Sequence, residues 1–505
     1  MYKGQTLSFK DFSGGLVTTL PATSLGLHQA ADLDNIIILP GGLGITNCRG
    51  NTAFNTAAMN GGAAVTGLAY FQTLARDNWL VAISGDKIFK SDNLDGTMDD
   101  ITGAVTITNN ADNIWSFVPF NDKIIAFGFD APWQWNGSGD ATALGGSPPT
   151  ADFGFAHNNR VFALQSSTDT IRWCVLGDPE DWSGVGSGFA AVGSLEDSQT
   201  LIGAAALTND QALLFKENSV YQMSTRNLVD GAFPIFPLHS GVGACGKHAI
   251  VNVRDEVFFI TPQGSMLSTN GQRVQSYPPL INDLWDSLYD FKKRNIHGIH
   301  YEGQDHDWLI WIVSTGVSST HNLALIWDLN HNCWLKRTQG LNANVAAVDM
   351  NGNLYTGGYN GYIYIQDVES KYTMDSENDA AVSWKWRTGW ITGDLLKKIR
   401  PQSFAVQHTT STIGELNFSV GFNFNEDAYT KQLPMEGGTA QWDVAKWDED
   451  KWGSNLQTIR GTRLTGMGNS FQFAISGSDA IIYTISQIDV NGKMNIAQKL
   501  QQGTE

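Results

Sequence analysis

Charge is what this sequence has least of: only 16% of its 505 residues are Asp, Glu, Lys or Arg, well below the roughly one quarter usual for globular domains. Long helices need Glu, Lys and Arg on their wet faces, and their scarcity beside 53 Gly, 25 Phe and 17 Trp favours short strands and tight turns. Cysteine is also sparse. Cys48, Cys174, Cys245 and Cys333 stand far apart with no CxxC pair, which excludes a disulfide framework or a zinc site as the organising principle and leaves buried free thiols as the expectation. No apolar run approaches the ~18 residues of a transmembrane helix, so membrane insertion is not expected. The opening MYKGQTLSFKDFSGG lacks the apolar core of a signal peptide, and synthesis in a reducing cytoplasm follows. Neither GxxxxGK[ST] nor GxSxG occurs, and the Gly-Gly pairs fall in turns between strands, so no phosphate cradle and no cofactor is expected. Positive charge is in deficit too: the net charge of −18 argues against a sequence-reading DNA binder. Two readings of that charge remain, solubility or a surface that nucleic acid passes without sticking.

What is present is a weak repeat. Seven segments share one grammar of strand, polar turn, strongly apolar strand, turn and strand: Thr66–Lys90, Asn113–Asn136, Asp152–Cys174, Leu201–Ser224, Lys247–Ser268, Ile296–Trp334 and Asn344–Gln366. The first turns use Asp, Asn and Gly, which accept positive φ or set type I and I′ geometry. A spacing of some 36 to 53 residues suits blades of four short antiparallel strands. The expectation is an all-β chain, a six- or seven-bladed β-propeller, over a large sandwich or a β-helix. A C-terminal β-sandwich-like domain follows, paired with an N-terminal arm. The domain limits read as 1–50 for the arm, 51–370 for the propeller, 371–380 for a polar linker and 381–505 for the sandwich-like domain. Period-two alternation marks Asn417–Asn425 and Phe471–Ser476. One short helix is predicted over Leu280–Lys293, with Leu284, Leu288 and Phe291 on one face.

A propeller can host catalysis, and several stretches of this chain resemble parts of catalytic or metal sites. Ser91 to Thr97 resembles an Asp box, a hairpin turn remote from chemistry. The stretch HGIHYEGQDHD gathers His297, His300 and His306 with Asp305 and Asp307, but His-x-x-His on a strand points two rings to opposite faces, and a polar loop between strands outweighs a metal site. The Asp-rich Asn93–Asp100 does not match an EF-hand spacing. No arginine trio or paired carboxylates stand out for glycan chemistry, so no catalytic residue is assigned and the chain is read as a non-enzyme.

Three segments carry a likeness to a known family. The arm holds Asp11-Phe12-Ser13-Gly14-Gly15-Leu16, then Ala30 to Ile36 with Asn35, then Cys48-Arg49-Gly50. Ile171-Arg172-Trp173 precedes Gly177-Asp178-Pro179-Glu180-Asp181-Trp182-Ser183. Trp442, Trp447 and Trp452 recur every five residues, the first two followed by Asp. In this order the motifs resemble those of tail nozzle and tail hub proteins of short-tailed bacteriophages. The resemblance implies a structural virion protein that forms a ring, a hexamer, in the tail. It retains packaged DNA and conducts it during ejection without binding it specifically. Its partners are further copies of itself, portal-side adaptor proteins and tail fibres. Phe12, Gly14, Gly15, Asn35, Arg49, Trp442, Trp447 and Trp452 are the candidate assembly contacts. The alternative is a carbohydrate-binding or glycan-cleaving propeller that recognises a receptor. A scaffold of the WD-repeat kind is weaker, because the repeats are irregular and the arm fits no such pattern.

Overall fold

The computed structural model describes all residues except 1–4, 194–196, 198, 209, 227–231, 304, 393–397, 411–413, 436–457 and 494–505. The chain is nearly all β and builds a seven-bladed propeller beside a two-sheet sandwich. Each blade is a four-stranded antiparallel meander. The innermost strands are Val65–Gln72, Ser116–Phe120, Ala151–His157, Gly203–Thr208, Ile250–Val253, His297–Glu302 and Val345–Val348. Every repeat read from the sequence therefore corresponds to one blade.

The second strand of a blade lies between blade neighbours on both faces, which is why these strands read as continuous apolar runs. Asp307–Val313, the second strand of blade six, is buried at every position. The turns before these strands need positive φ, supplied by Asn121 and Asp122, Asn158 and Asn159, and Arg254. Blade seven is closed from the other end of the propeller. Thr52–Ala53 pairs with Ile363–Ile365 as its outermost strand. So short a strand needs anchors: the Ile363 amide donates to Asn55 Oδ1 at 2.7 Å, and the Ala53 amide to Asp375 Oδ2 at 3.0 Å.

The sandwich is made from both ends of the chain. One sheet takes Gln5–Phe9, Ile36–Ile38 and Ile45–Asn47 from the arm and joins them to Tyr483–Lys493, Arg400–Thr410 and Thr458–Arg463. The other takes Ala30–Asp34 and joins it to Trp384–Thr388, Ser470–Gly477, Gly414–Phe422 and Asn425–Met435. Arm and core share one aromatic cluster: the Phe9 ring lies 5.0 Å from Phe473 and 5.9 Å from Trp386, and Phe404 lies 3.7 Å from Phe418.

Two local readings change. The alternation over Asn417–Asn425 crosses a hairpin, since Asn423 and Phe424 turn the chain at φ 51° and 64°. The helix predicted over Leu280–Lys293 is a single turn, Asn282–Asp286, followed by a 3₁₀ segment, Asp290–Asn295. Backbone pairing interrupts it: Leu288 bridges Thr315, and the Tyr289 amide donates to the Ser314 carbonyl at 2.9 Å. Phe291, expected on the apolar face, is 83% exposed.

Because Phe9 sits at the centre of the sandwich core, Phe9→Ala is expected to cost about 3–5 kcal/mol, read from urea unfolding. A loss below about 1 kcal/mol would show that the arm is not part of that core.

Candidate functional site

The arm residues singled out in the sequence lie inside this chain's own contacts. Phe12 is buried with its ring 5.3 Å from Trp386. Gly15, at φ 56°, lies against blade six, where a Cβ would come within 2.7 Å of Cys333 Sγ and of the Trp334 carbonyl; beside it, a Cβ on Gly14 would come within 2.3 Å of His28. The Leu16 amide donates to that Trp334 carbonyl at 2.7 Å. Asn35, at φ 53°, is fully buried and acts as a hub. Its Nδ2 donates to Ser383 O at 2.7 Å and Thr338 Oγ1 at 3.2 Å, and its Oδ1 accepts from the Thr338 amide at 3.0 Å. Arg49 pairs with Asp305 at 3.6 Å. Phe12, Gly15, Asn35 and Arg49 thus fasten the arm to the sandwich and to blade six, while Gly14 packs within the arm. Trp442, Trp447 and Trp452 lie outside the described residues.

Behind Arg49 the junction holds a buried ion pair. Arg337, 1% exposed, donates to Asp367 Oδ1 at 3.2 Å, to the Arg49 carbonyl at 3.0 Å and to the Gln339 carbonyl at 3.1 Å. One guanidinium so ties blade six, the strand-closing segment after blade seven and the arm. Cys48 is buried nearby, and burial pushes its thiol up to about 12, which leaves it inert as a nucleophile at neutral pH.

The far edge of the sandwich is different. In both sheets the strand order puts the arm strands at one end, and Asn425–Met435 and Thr458–Arg463 at the other. Asn425–Met435 is eleven residues long, pairs only with Gly414–Phe422 among the described residues, and exposes most of its side chains. Its Glu426 and Asp427 hold Arg387, each at 2.7 Å.

The propeller carries a second site at the mouth of its central channel. A cavity of about 380 Å³ opens where the inner strands of blades two to six begin. The 3₁₀ segment Asp290–Asn295 reaches from blade six to the loop before blade two: Lys292 pairs with Asp112, and Asn295 Nδ2 donates to the Asp112 carbonyl at 2.9 Å. On the wall, Lys247 donates to the Asp152 carbonyl at 2.8 Å, and burial pulls its ammonium down to about 8. Below it His248 and His297 stack at 5.1 Å. Burial holds both neutral, His297 down to about 4, and His321, bonded to the Ala343 carbonyl at 2.9 Å, likewise to about 4.

The sequence reading did not single out this mouth. The available signal was a charged residue at or just ahead of the start of a blade's first strand, as in Asp152 or Lys247. The histidine-rich stretch is dispersed: His297 faces blade seven, His300 bonds Asp307 at 2.7 Å, and His306 stacks on Trp308 at 3.8 Å. Ser91 to Thr97 forms a turn held by Asp95, which accepts from the Thr97 amide at 2.8 Å. The Gly177–Ser183 motif braces two blades. Trp182 is buried between blades two and three, and Glu180 takes Lys123 and Gln134 of blade two, each at 2.7 Å.

Two outcomes follow. Arg337→Leu leaves the buried Asp367 carboxylate without its cation, beside the His306 ring at 3.6 Å, and is expected to cost about 3–5 kcal/mol; adding Asp367→Leu should recover much of that in a double-mutant cycle. Little recovery would mean that the pair does not act as a unit. The neutral rings of His297 and His321 set an acid limit. The unfolded chain protonates them near 6.5 and the fold only near 4, so unfolding takes up protons in between. Stability is full above about pH 6.5 and falls toward pH 4, by on the order of 3 kcal/mol per ring. His297→Gln should flatten this slope in unfolding curves taken across that range; an unchanged slope contradicts it.

No family model matches this chain, and no curated protein matches it. Among solved structures it is similar to a streptogramin B lyase structure, at 13% identity and a TM-score of 0.42, covering 63% of this chain and 96% of that one. It is similar to the WD40 β-propeller domain of Doa1 at 11% identity and a TM-score of 0.42, covering 64% and 98%. For YCF48 bound to D1 peptide the values are 10%, 0.40, 62% and 94%.

Proposed function

We propose that this protein is a structural subunit of the tail of a short-tailed bacteriophage, forming a ring, a hexamer, that retains packaged DNA and conducts it at ejection. The observation that supports this best is the sandwich closed by its own arm at one edge and left with an eleven-residue strand at the other. A long edge strand offers unpaired N–H and C=O groups to another chain. Lys431 and Pro434 guard its C-terminal part, and Asn425 to Thr430 is the stretch left open on its outer side among the described residues. Contact of this edge with a different surface of the next copy is heterologous, and such contacts close into rings when the rotation fits. The order of the arm, Asp-Pro and tryptophan motifs is the second support.

The conduit in this reading is the axis of the ring. The propeller mouth, a cavity of about 380 Å³ crossed by Asp290–Asn295, has no room for a duplex. A net charge of −18 per chain offers passing phosphates no attraction. The remaining partners are adaptor proteins on the portal side and tail fibres, with no bond chemistry required of the chain.

Light scattering and negative-stain imaging of the full-length protein, alone and with neighbouring tail proteins, test this. A six-fold ring with a central hole is expected, and Ala428→Lys on the open edge should give monomers with unchanged thermal unfolding. A persistent monomer under all conditions would overturn the ring and favour a ligand-binding propeller.

A further inference from the structure

We propose that the cavity at the propeller mouth is a binding site for a small hydroxylated monocarboxylate, a sugar acid, whose carboxylate is held by Lys247. Of the charged groups on the cavity wall, Arg294 is paired with Glu217 at 2.6 Å, Asp112 is paired with Lys292, and Asp152 accepts the Ser166 hydroxyl at 2.7 Å. Lys247 forms no ion pair among the described residues; its one bond is to the Asp152 carbonyl at 2.8 Å, and the nearby Asp152 carboxylate offsets only part of the cost of its burial. His248 beside it is held neutral by burial and supplies no countercharge.

A largely buried cation whose nearest carboxylate makes no ion pair with it is costly. The depressed proton affinity of Lys247, about 8, registers that cost. An anion bound against it relieves the cost, because the opposite charge favours the ammonium form. The wall also narrows the ligand. Asp112 and Asp152 disfavour a second negative charge but accept hydrogen bonds from ligand hydroxyls, and the cavity is lined by Ser167, Thr200 and Asn295 as well. About 380 Å³ is the share of roughly a dozen waters at ~30 Å³ each, enough for one six-carbon sugar acid. This inference is independent of ring assembly.

The sign of the pH dependence is fixed by linkage. The ammonium form binds and the neutral amine does not, so affinity is full below the free value of about 8 and is about tenfold weaker at pH 9 than at pH 7. The probe is D-glucuronate, titrated calorimetrically into the full-length protein, with D-glucose and succinate as controls. Glucuronate should bind with proton uptake at pH 8.5, measured in two buffers of different ionisation enthalpy, and glucose and succinate should bind at least tenfold more weakly. Lys247→Met and Lys247→Gln, each verified as folded by circular dichroism, should abolish both the binding and the proton uptake. No binding of glucuronate, equal binding of glucose, or binding that survives in both variants would overturn the proposal.

Discussion

The backbone pairing between the first fifty residues and the last hundred is the constraint on which the rest depends. Without Gln5–Phe9 and Ile45–Asn47, the Tyr483–Lys493 strand has one paired edge and one bare edge. Without Ala30–Asp34, Trp384–Thr388 lies at an open edge in the same way. The arm then passes blade six, hands its Arg49 carbonyl to Arg337, and continues at once into Thr52–Ala53, which closes blade seven. A single excursion of chain thus closes the sandwich, the junction and the propeller. Closing contacts of such large sequence separation is slow, but it leaves few bare strand edges, and those edges are the aggregation hazard of β proteins.

The buried charges follow from this architecture. Arg337 and Asp367 lie where three structural parts meet and satisfy backbone carbonyls that no strand ladder reaches. A buried pair of this kind adds little net stability over an apolar substitute; its bonds join blade six, the arm and the segment after blade seven at one point. At the channel mouth the balance differs. Inner strands from five blades converge there, the wall they form carries Asp112, Asp152, Thr200 and Asn295, and Lys247 is the one wall cation that makes no ion pair among the described residues.

Much of the fold was legible in the sequence because blade grammar is local. Turn residues such as Asn158 and Asn159, followed by the apolar Val161–Leu164, mark a hairpin whatever surrounds it. The arm was legible as a segment in need of a partner sheet, since its one strong strand, over Asn35 to Leu39, fits no blade; that Ile36–Ile38 pairs first with the arm's own Ile45–Asn47, which then joins Tyr483–Lys493, was not legible. The helix at 280–293 was misread because a backbone bridge from Leu288 to Thr315 overrides an apolar spacing that carries no knowledge of it. The candidate contacts were found by motif, and Gly15 and Asn35 do have exacting positions; what the motif did not convey is that those positions face this same chain. The channel mouth was hidden for a simpler reason. Asp112, Asp152 and Lys247 are far apart in sequence, and only ring closure of the propeller brings them together.

Amide hydrogen exchange of the intact protein tests the central claim most directly, since it reads whether the arm is an integral part of the fold. The account predicts that the amides of Gln5–Phe9 and Ala30–Asn47 exchange as slowly as those of Tyr483–Lys493, with which they share a sandwich. Arm amides that exchange at the rate of a free peptide, while Tyr483–Lys493 stays protected, would contradict it.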